Sequence, residues 1–178
     1  MIDVEIILPK GYYTDYLKYL FPLDPSTRAH RVTSVSNLGK LLIAYARVSL
    51  KPVSTPDPGD RYGKITLSLP LTDTTQDLQD KYLYYTSADT ARLQGVLKAE
   101  FNLDFIAYYL RGMVMGHQKK EIIEMFVASR HLVDVDPYEA LHKRIYRMEQ
   151  RKMQELSKKL IRKANYFEEK LNTDGLYD

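Results

Sequence analysis

The last part of the chain contains an uninterrupted stretch, because neither proline nor glycine occurs between Pro137 and Gly175. These two residues disfavour the interior of a helix most strongly. At the start of the stretch, Asp136-Pro137-Tyr138-Glu139 places a carboxylate at the N-cap, proline at the first helical position and glutamate at the third. The sequence therefore predicts one helix from residue 137 to about residue 171, about 50 Å long at about 1.5 Å per residue. Residues 173–178 are predicted to form a flexible tail.

The charge of the chain is concentrated in its last third. Residues 1–110 hold 12 basic and 12 acidic side chains, whereas residues 111–172 hold 14 and 9. The last six residues add two aspartates, and the net charge is therefore 0 + 5 − 2 = +3. A basic segment attached to a neutral body favours a polyanionic partner.

The predicted long helix has a basic face opposite an apolar one. With Leu141 set at 0° and about 100° per residue, five cations fall between roughly 240° and 300°, and four of them are arginines. Lys143 lies near about 200°. Arginine binds phosphate through two parallel hydrogen bonds and pairs with guanine edges. We therefore predict nucleic-acid contacts by Lys143, Arg144, Arg147, Arg151, Lys158 and Arg162, together with Lys119 and Lys120 of the preceding helix.

Other interpretations of the same helix remain open at this point. The basic face is also compatible with a solvated surface, with an acidic protein partner, or with RNA in place of duplex DNA. Its distal apolar residues have no evident cover in the sequence, which is compatible with self-association and equally with folding back on the N-terminal α+β part. The predicted oligomerisation residues are Leu156, Leu160, Phe167 and Leu171. A structural or assembly protein that forms a homo-oligomer through this helix is therefore the alternative to a DNA-binding protein.

The N-terminal part combines short strands with helices, which predicts an α+β fold. Apolar and polar residues alternate over 2–8 and 64–69, and the two predicted strands are expected to pair. Helices are predicted over 11–21 and, from an N-cap at Ser36, to about Ser49. The segments 22–35, 52–60 and 71–80 are predicted loops. We expect this α+β part to cover residues 1–85.

Residues 86–172 are predicted to be entirely helical. Thr86-Ser-Ala-Asp89 matches a capping box that opens a helix to about residue 100, and further helices are predicted over 103–115 and 118–129. The segment Gly116-His-Gln-Lys-Lys-Glu-Ile-Ile-Glu-Met-Phe126 resembles the second helix of bacterial helix-turn-helix DNA-binding domains. The resemblance covers about residues 103–151 and implies that the following helix enters the major groove with its N-terminal end.

The sequence offers little support for catalysis. It contains no cysteine, its four histidines lack metal-ligand spacing, and no recognised nucleophile or paired-carboxylate motif is present. It also has no secretory signal pattern and no apolar run long enough to span a bilayer. We therefore expect a cytoplasmic, non-enzymatic protein without a cofactor or a membrane partner. A regulator, or an accessory factor in the DNA transactions of a phage or mobile element, fits these expectations.

Overall fold

A computed structural model describes residues 2–54, 59–70, 81–133 and 137–174, with the side chains of the last helix described as far as residue 166. The chain contains both strands and helices, which confirms the α+β class. It divides into two compact units, Met1–Pro137 and Tyr138–Asp178. The domain boundary expected at residue 85 therefore lies inside the first unit, where the third helix packs against elements from the N-terminal part.

The predicted pairing of the two alternating strands is confirmed. β1 (Ile2–Pro9) and β5 (Tyr62–Leu69) are antiparallel, with Ile6 opposite Ile65. Val4, Ile6 and Leu8 are buried on one face of β1, as the period of two requires. These two strands form one side of a four-stranded sheet in the order β1-β5-β3-β2.

Four short strands were not predicted. β2 (Leu23–Asp24) and β3 (Ala29–Arg31) lie in a segment predicted as loop, and β3 pairs in parallel with β5. β4 (Arg47–Ser49) and β6 (Tyr82–Tyr84) form a separate antiparallel pair. Strands of two or three residues are too short to show an alternation of apolar and polar residues. β3 and β4 also pair with strands more than 30 positions away, which no local pattern indicates. The loop prediction for 22–35 was therefore wrong in part.

The first two helices begin close to their predicted positions. α1 covers Tyr12–Leu20, and α2 covers Asn37–Tyr45. The hydroxyl of Ser36 accepts a hydrogen bond from the Gly39 N–H at 3.0 Å, which confirms the predicted N-cap. The predicted end of α2 near Ser49 was wrong, because the chain becomes extended after Tyr45 and pairs as β4.

A single helix, α3 (Ser87–Val114), replaces the two helices predicted over 86–100 and 103–115. No glycine or proline lies between Glu100 and Leu103, and the helix therefore continues through this point. The predicted capping box is confirmed, since Thr86 and Asp89 bond each other's backbone N–H groups. One face of α3 is buried along its whole length. Its residues are Leu93, Leu97, Phe101, Phe105, Tyr109 and Gly112.

The last two helices agree with the predicted segments. α4 covers Lys119–Ser129 and α5 covers Pro137–Asp174. The predicted N-cap of α5, Asp136, lies outside the described residues. α5 also includes the first two residues of the predicted tail, and residues 175–178 are outside the described part of the chain.

An ion pair between the half-exposed Arg47 and the buried Asp89 joins β4 to the start of α3. The Nε of Arg47 donates to Asp89 Oδ2 at 2.7 Å, and its Nη2 donates to Oδ1 at 3.3 Å. The Asp89 side chain is only 1% exposed and also accepts a hydrogen bond from the Thr86 hydroxyl. Hydrogen bonds from Arg47 and Thr86 lower the pKa of Asp89 to about 2.

We expect the stability of the fold to depend on the protonation of Asp89. Its pKa is lower in the folded than in the unfolded chain, so the stabilisation is present above about pH 4 and is lost as the pH falls towards 2. Urea unfolding at pH 6, 4, 3 and 2 should therefore show a weaker acid dependence for Asp89→Asn than for the wild type. Equal acid dependence in both proteins would contradict this assignment.

Candidate nucleic-acid interface

The predicted basic residues of α5 lie on one face of a continuous helix. We call Arg144, Arg147, Arg151, Lys158 and Arg162 the α5 basic stripe. Their spacing of 3, 4, 7 and 4 residues keeps them within about 60° around the helix axis. The stripe extends over about 27 Å at about 1.5 Å per residue. All of its members except the half-buried Arg144 are exposed.

Few acidic side chains lie near the α5 basic stripe: Glu139 lies at its beginning and Glu155 beside its middle. Lys143, beside the stripe, lies 4.0 Å from a carboxylate oxygen of Glu139, and both side chains are well exposed. Arg144 also interacts with a neighbouring group. The other four members of the stripe form no ion pair with another residue in the described part of the chain; they are Arg147, Arg151, Lys158 and Arg162. Four cations along about 20 Å are therefore available to an external anion.

The opposite face of α5 changes along the helix. Leu141 and Ile145 are 1% and 2% exposed, but every side chain from Gln150 to Tyr166 is exposed. Two of the four predicted oligomerisation residues lie in this region, where Leu156 is 47% and Leu160 67% exposed. The side chains of the other two, Phe167 and Leu171, are not described.

The two lysines predicted as further contacts belong to the first compact unit. Lys119 and Lys120 are exposed in the first turn of α4. Lys120 lies 3.8 Å from Glu124, and Lys119 has a partner of its own. The N-terminal end of α4 also carries Glu121, whose carboxylate accepts from the Gln118 N–H at 3.1 Å. These lysines are therefore partly neutralised, unlike most of the α5 basic stripe.

The connection between α3 and α4 is a tight turn of four residues, 115–118. Gly116 has a φ of 83°, which favours glycine because it has no Cβ. The buried Gly112 lets the two helices approach closely, since a Cβ there would lie 2.6 Å from Ile122 Cγ1. A short turn with glycine is typical of helix-turn-helix units, but here it precedes α4. The interval between α4 and α5 is longer, at residues 130–136. The resemblance therefore remains a prediction.

One strongly basic residue outside the predicted set has a structural role. The guanidinium of Arg130 makes two hydrogen bonds to Asp104, at 2.9 and 3.1 Å, and lies over the ring of Tyr19 at 4.8 Å. Tyr16 donates to the same carboxylate at 3.2 Å. Burial, together with the charge of Asp104, raises the pKa of Tyr16. Because Asp104 is 26 residues from Arg130, no local pattern predicts this cluster.

Comparisons with known proteins give no relative for the chain. It matches no protein-family model, no curated protein sequence and no solved structure. Among the described residues, no group of three or more histidine or acidic side chains is placed to hold a metal ion. In the same residues, no helix is both long enough and apolar enough to cross a bilayer.

Two glycines of α3 should respond in opposite directions to alanine substitution. Gly112→Ala should destabilise the fold by about 1–3 kcal/mol, because the new methyl group would overlap Ile122. Gly95→Ala meets no atom within 4 Å, and should stabilise the helix by roughly 0.5–1 kcal/mol. Urea unfolding of both variants checks the assignment. A destabilisation by Gly95→Ala equal to that by Gly112→Ala would contradict the close approach of α3 and α4.

Proposed function

We propose that this chain is a non-enzymatic DNA-binding protein whose α5 basic stripe contacts duplex DNA. The main support is the set of four exposed cations without an acidic partner in the described residues: Arg147, Arg151, Lys158 and Arg162. A solvated helix usually gains stability by placing an acidic residue three or four positions from each cation. In the α5 basic stripe only Glu155 has this spacing, from Arg151 and Lys158, and it forms no ion pair with either. The charges of the stripe are therefore available for phosphate, and each neutralised phosphate releases condensed counterions.

The shape of α5 supports the same partner. The major groove of DNA is about 12 Å wide and admits one helix, while its phosphates lie along both edges. Arg144, near the start of the helix, is the proposed contact to a base edge. Arg151, farther along and exposed, is the proposed phosphate contact. Arginine suits both tasks because its planar guanidinium donates two parallel hydrogen bonds.

The triple variant Arg144→Gln, Arg147→Gln and Arg151→Gln tests the proposal. Glutamine has nearly the helix propensity of arginine, and the fold should therefore survive. Each lost phosphate contact should reduce the slope of log affinity against log salt by about 0.9, or by about 2.7 in all if Arg144 contacts phosphate as the other two do. Fluorescence anisotropy with a labelled duplex at several salt concentrations measures this slope. If Arg144 instead reads a base, its loss should cost about 1–3 kcal/mol at a preferred sequence.

A matched control lies on the same helix. A different face of α5 carries Lys152, Lys159 and Lys163, at about 0–40° when Leu141 is at 0°, which is about 60–160° away from members of the stripe. Replacing these three lysines by glutamine removes the same charge but leaves the α5 basic stripe intact. The control should retain most of the salt slope. Equal losses in both variants would show that net charge alone drives binding, and an unchanged slope in both would contradict the DNA proposal. Tighter binding to single-stranded RNA than to duplex DNA would favour the RNA alternative.

An assembly function is the second candidate, and the exposure of Leu156 and Leu160 favours it. Two leucines on one exposed helix face are a common basis for helix association. If the distal part of α5 associates, Leu160→Asp should shift the protein towards monomer in analytical ultracentrifugation. The sequence also places Phe167 on the same face, so the double variant with Phe167→Asp should have the larger effect. A monomeric wild type at high concentration would exclude this function.

A further inference from the structure

α3 carries a second apolar face that the described residues leave largely uncovered. Its positions follow each other at 3, 4, 3, 4 and 3 residues, which is the spacing of a coiled-coil seam. We call these residues the α3 outer seam: Val96, Ala99, Leu103, Ile106, Leu110 and Met113. The pattern contains no polar residue over about 26 Å of helix.

The α3 outer seam lies on the side of the helix away from the core. Leu103 falls between Phe101 and Phe105 in sequence, and both phenylalanines are fully buried. Leu103 itself is 69% exposed, Leu110 53% and Met113 41%. Val96 and Ile106 are half-buried, and Ala99 is exposed. Leucine side chains that remain in water gain none of the free energy of apolar burial. At a regular heptad spacing they gain it when another helix covers them.

We propose that this seam binds the same seam of a second copy of the chain in an antiparallel helix pair. In antiparallel coiled coils the two kinds of seam position face each other. One register uses all six residues of both copies: Val96 faces Met113, Ala99 faces Leu110, and Leu103 faces Ile106. Each small side chain then faces a large one, which allows the helices to approach closely without a cavity.

The charges beside the seam favour this orientation. The residue that continues the heptad towards the N-terminus is Arg92. A parallel pair in register would place the two Arg92 side chains beside each other, at a cost in like-charge repulsion. The antiparallel register places them at opposite ends of the helix pair, beyond the last seam contacts.

A second copy also fits the seam better than α5 does. The apolar spacing of α5 is interrupted where Lys152 occupies a seam position, whereas the α3 outer seam is unbroken. Stable dimers usually bury about 1,200–2,000 Å² in total, and one helix pair of this length reaches at most the lower end of that range. The dimer should therefore dissociate on dilution.

Cysteine cross-linking of the full chain gives a test of both contact and direction, because the natural sequence contains no cysteine. Val96→Cys and Met113→Cys are made as separate proteins, one of them with a tag that changes its mass. Under mild oxidation, the mixture should yield the cross-linked heterodimer, and neither protein alone should yield a homodimer. In the antiparallel pair, the two copies of residue 96 are about 26 Å apart. The control mixes Lys98→Cys with Arg111→Cys. In the antiparallel pair these two exposed positions lie level with each other along the helix axis, but away from the seam.

Three results would overturn the proposal: homodimers from each single variant, which indicate a parallel pair; cross-linking in the control equal to that in the test; or no cross-linking by a folded mixture at high concentration.

Sedimentation adds a measurement of association that needs no cysteine. Leu103→Glu should lower the association constant at least tenfold, while Leu160→Glu on α5 should leave it unchanged. The reverse order would assign association to α5. The result does not depend on DNA, so failure here is distinguishable from failure of the proposed function.

Discussion

The fold depends on the burial of one face of α3. Phe101, at the centre of that face, is fully buried and contacts the rings of Tyr12, Tyr13 and Tyr16 in α1 and of Phe126 in α4. Aromatic contacts of this kind, tilted or edge-to-face, add to the free energy gained by burial. Glu100, the residue before it, accepts a hydrogen bond from the first turn of α2 at 3.0 Å. Elements distant in sequence are therefore positioned through one helix.

Polar contacts at the margins of this core hold segments that have little regular structure of their own. Asp15 of α1 is buried and accepts a hydrogen bond from the Val133 N–H at 2.8 Å, beyond the end of α4. Arg130 and Asp104 join the same region to α3, and Arg47 and Asp89 join β4 to its beginning. A buried or partly buried charge is costly unless it is paired and hydrogen-bonded, so each of these contacts restricts its segment to one arrangement.

Local signals predicted the parts of the fold that local physics determines. Ser36, the capping box at Thr86 and the start of α5 at Pro137 were all identified from residues within one helical turn. β3 was missed because its three residues depend on β5, which lies more than 30 positions later. The α5 basic stripe was also predicted, since helical periodicity alone places its members on one face. The role of Arg130 was not predicted, because neither its charge nor its neighbours in sequence indicate Asp104 as a partner.

The α3 outer seam was not predicted from the sequence, for a related reason. Dividing α3 at residue 100 split the seam between two predicted helices, and its six positions form a continuous heptad pattern only in one 28-residue helix. The proposed dimer also bears on DNA binding. An antiparallel pair has a two-fold axis and would carry two α5 basic stripes related by that axis. Duplex DNA has a matching two-fold symmetry in its backbone, and dimeric proteins use it to bind two half-sites at once. Association through α3 would then raise the affinity of each stripe by increasing the local concentration of the other.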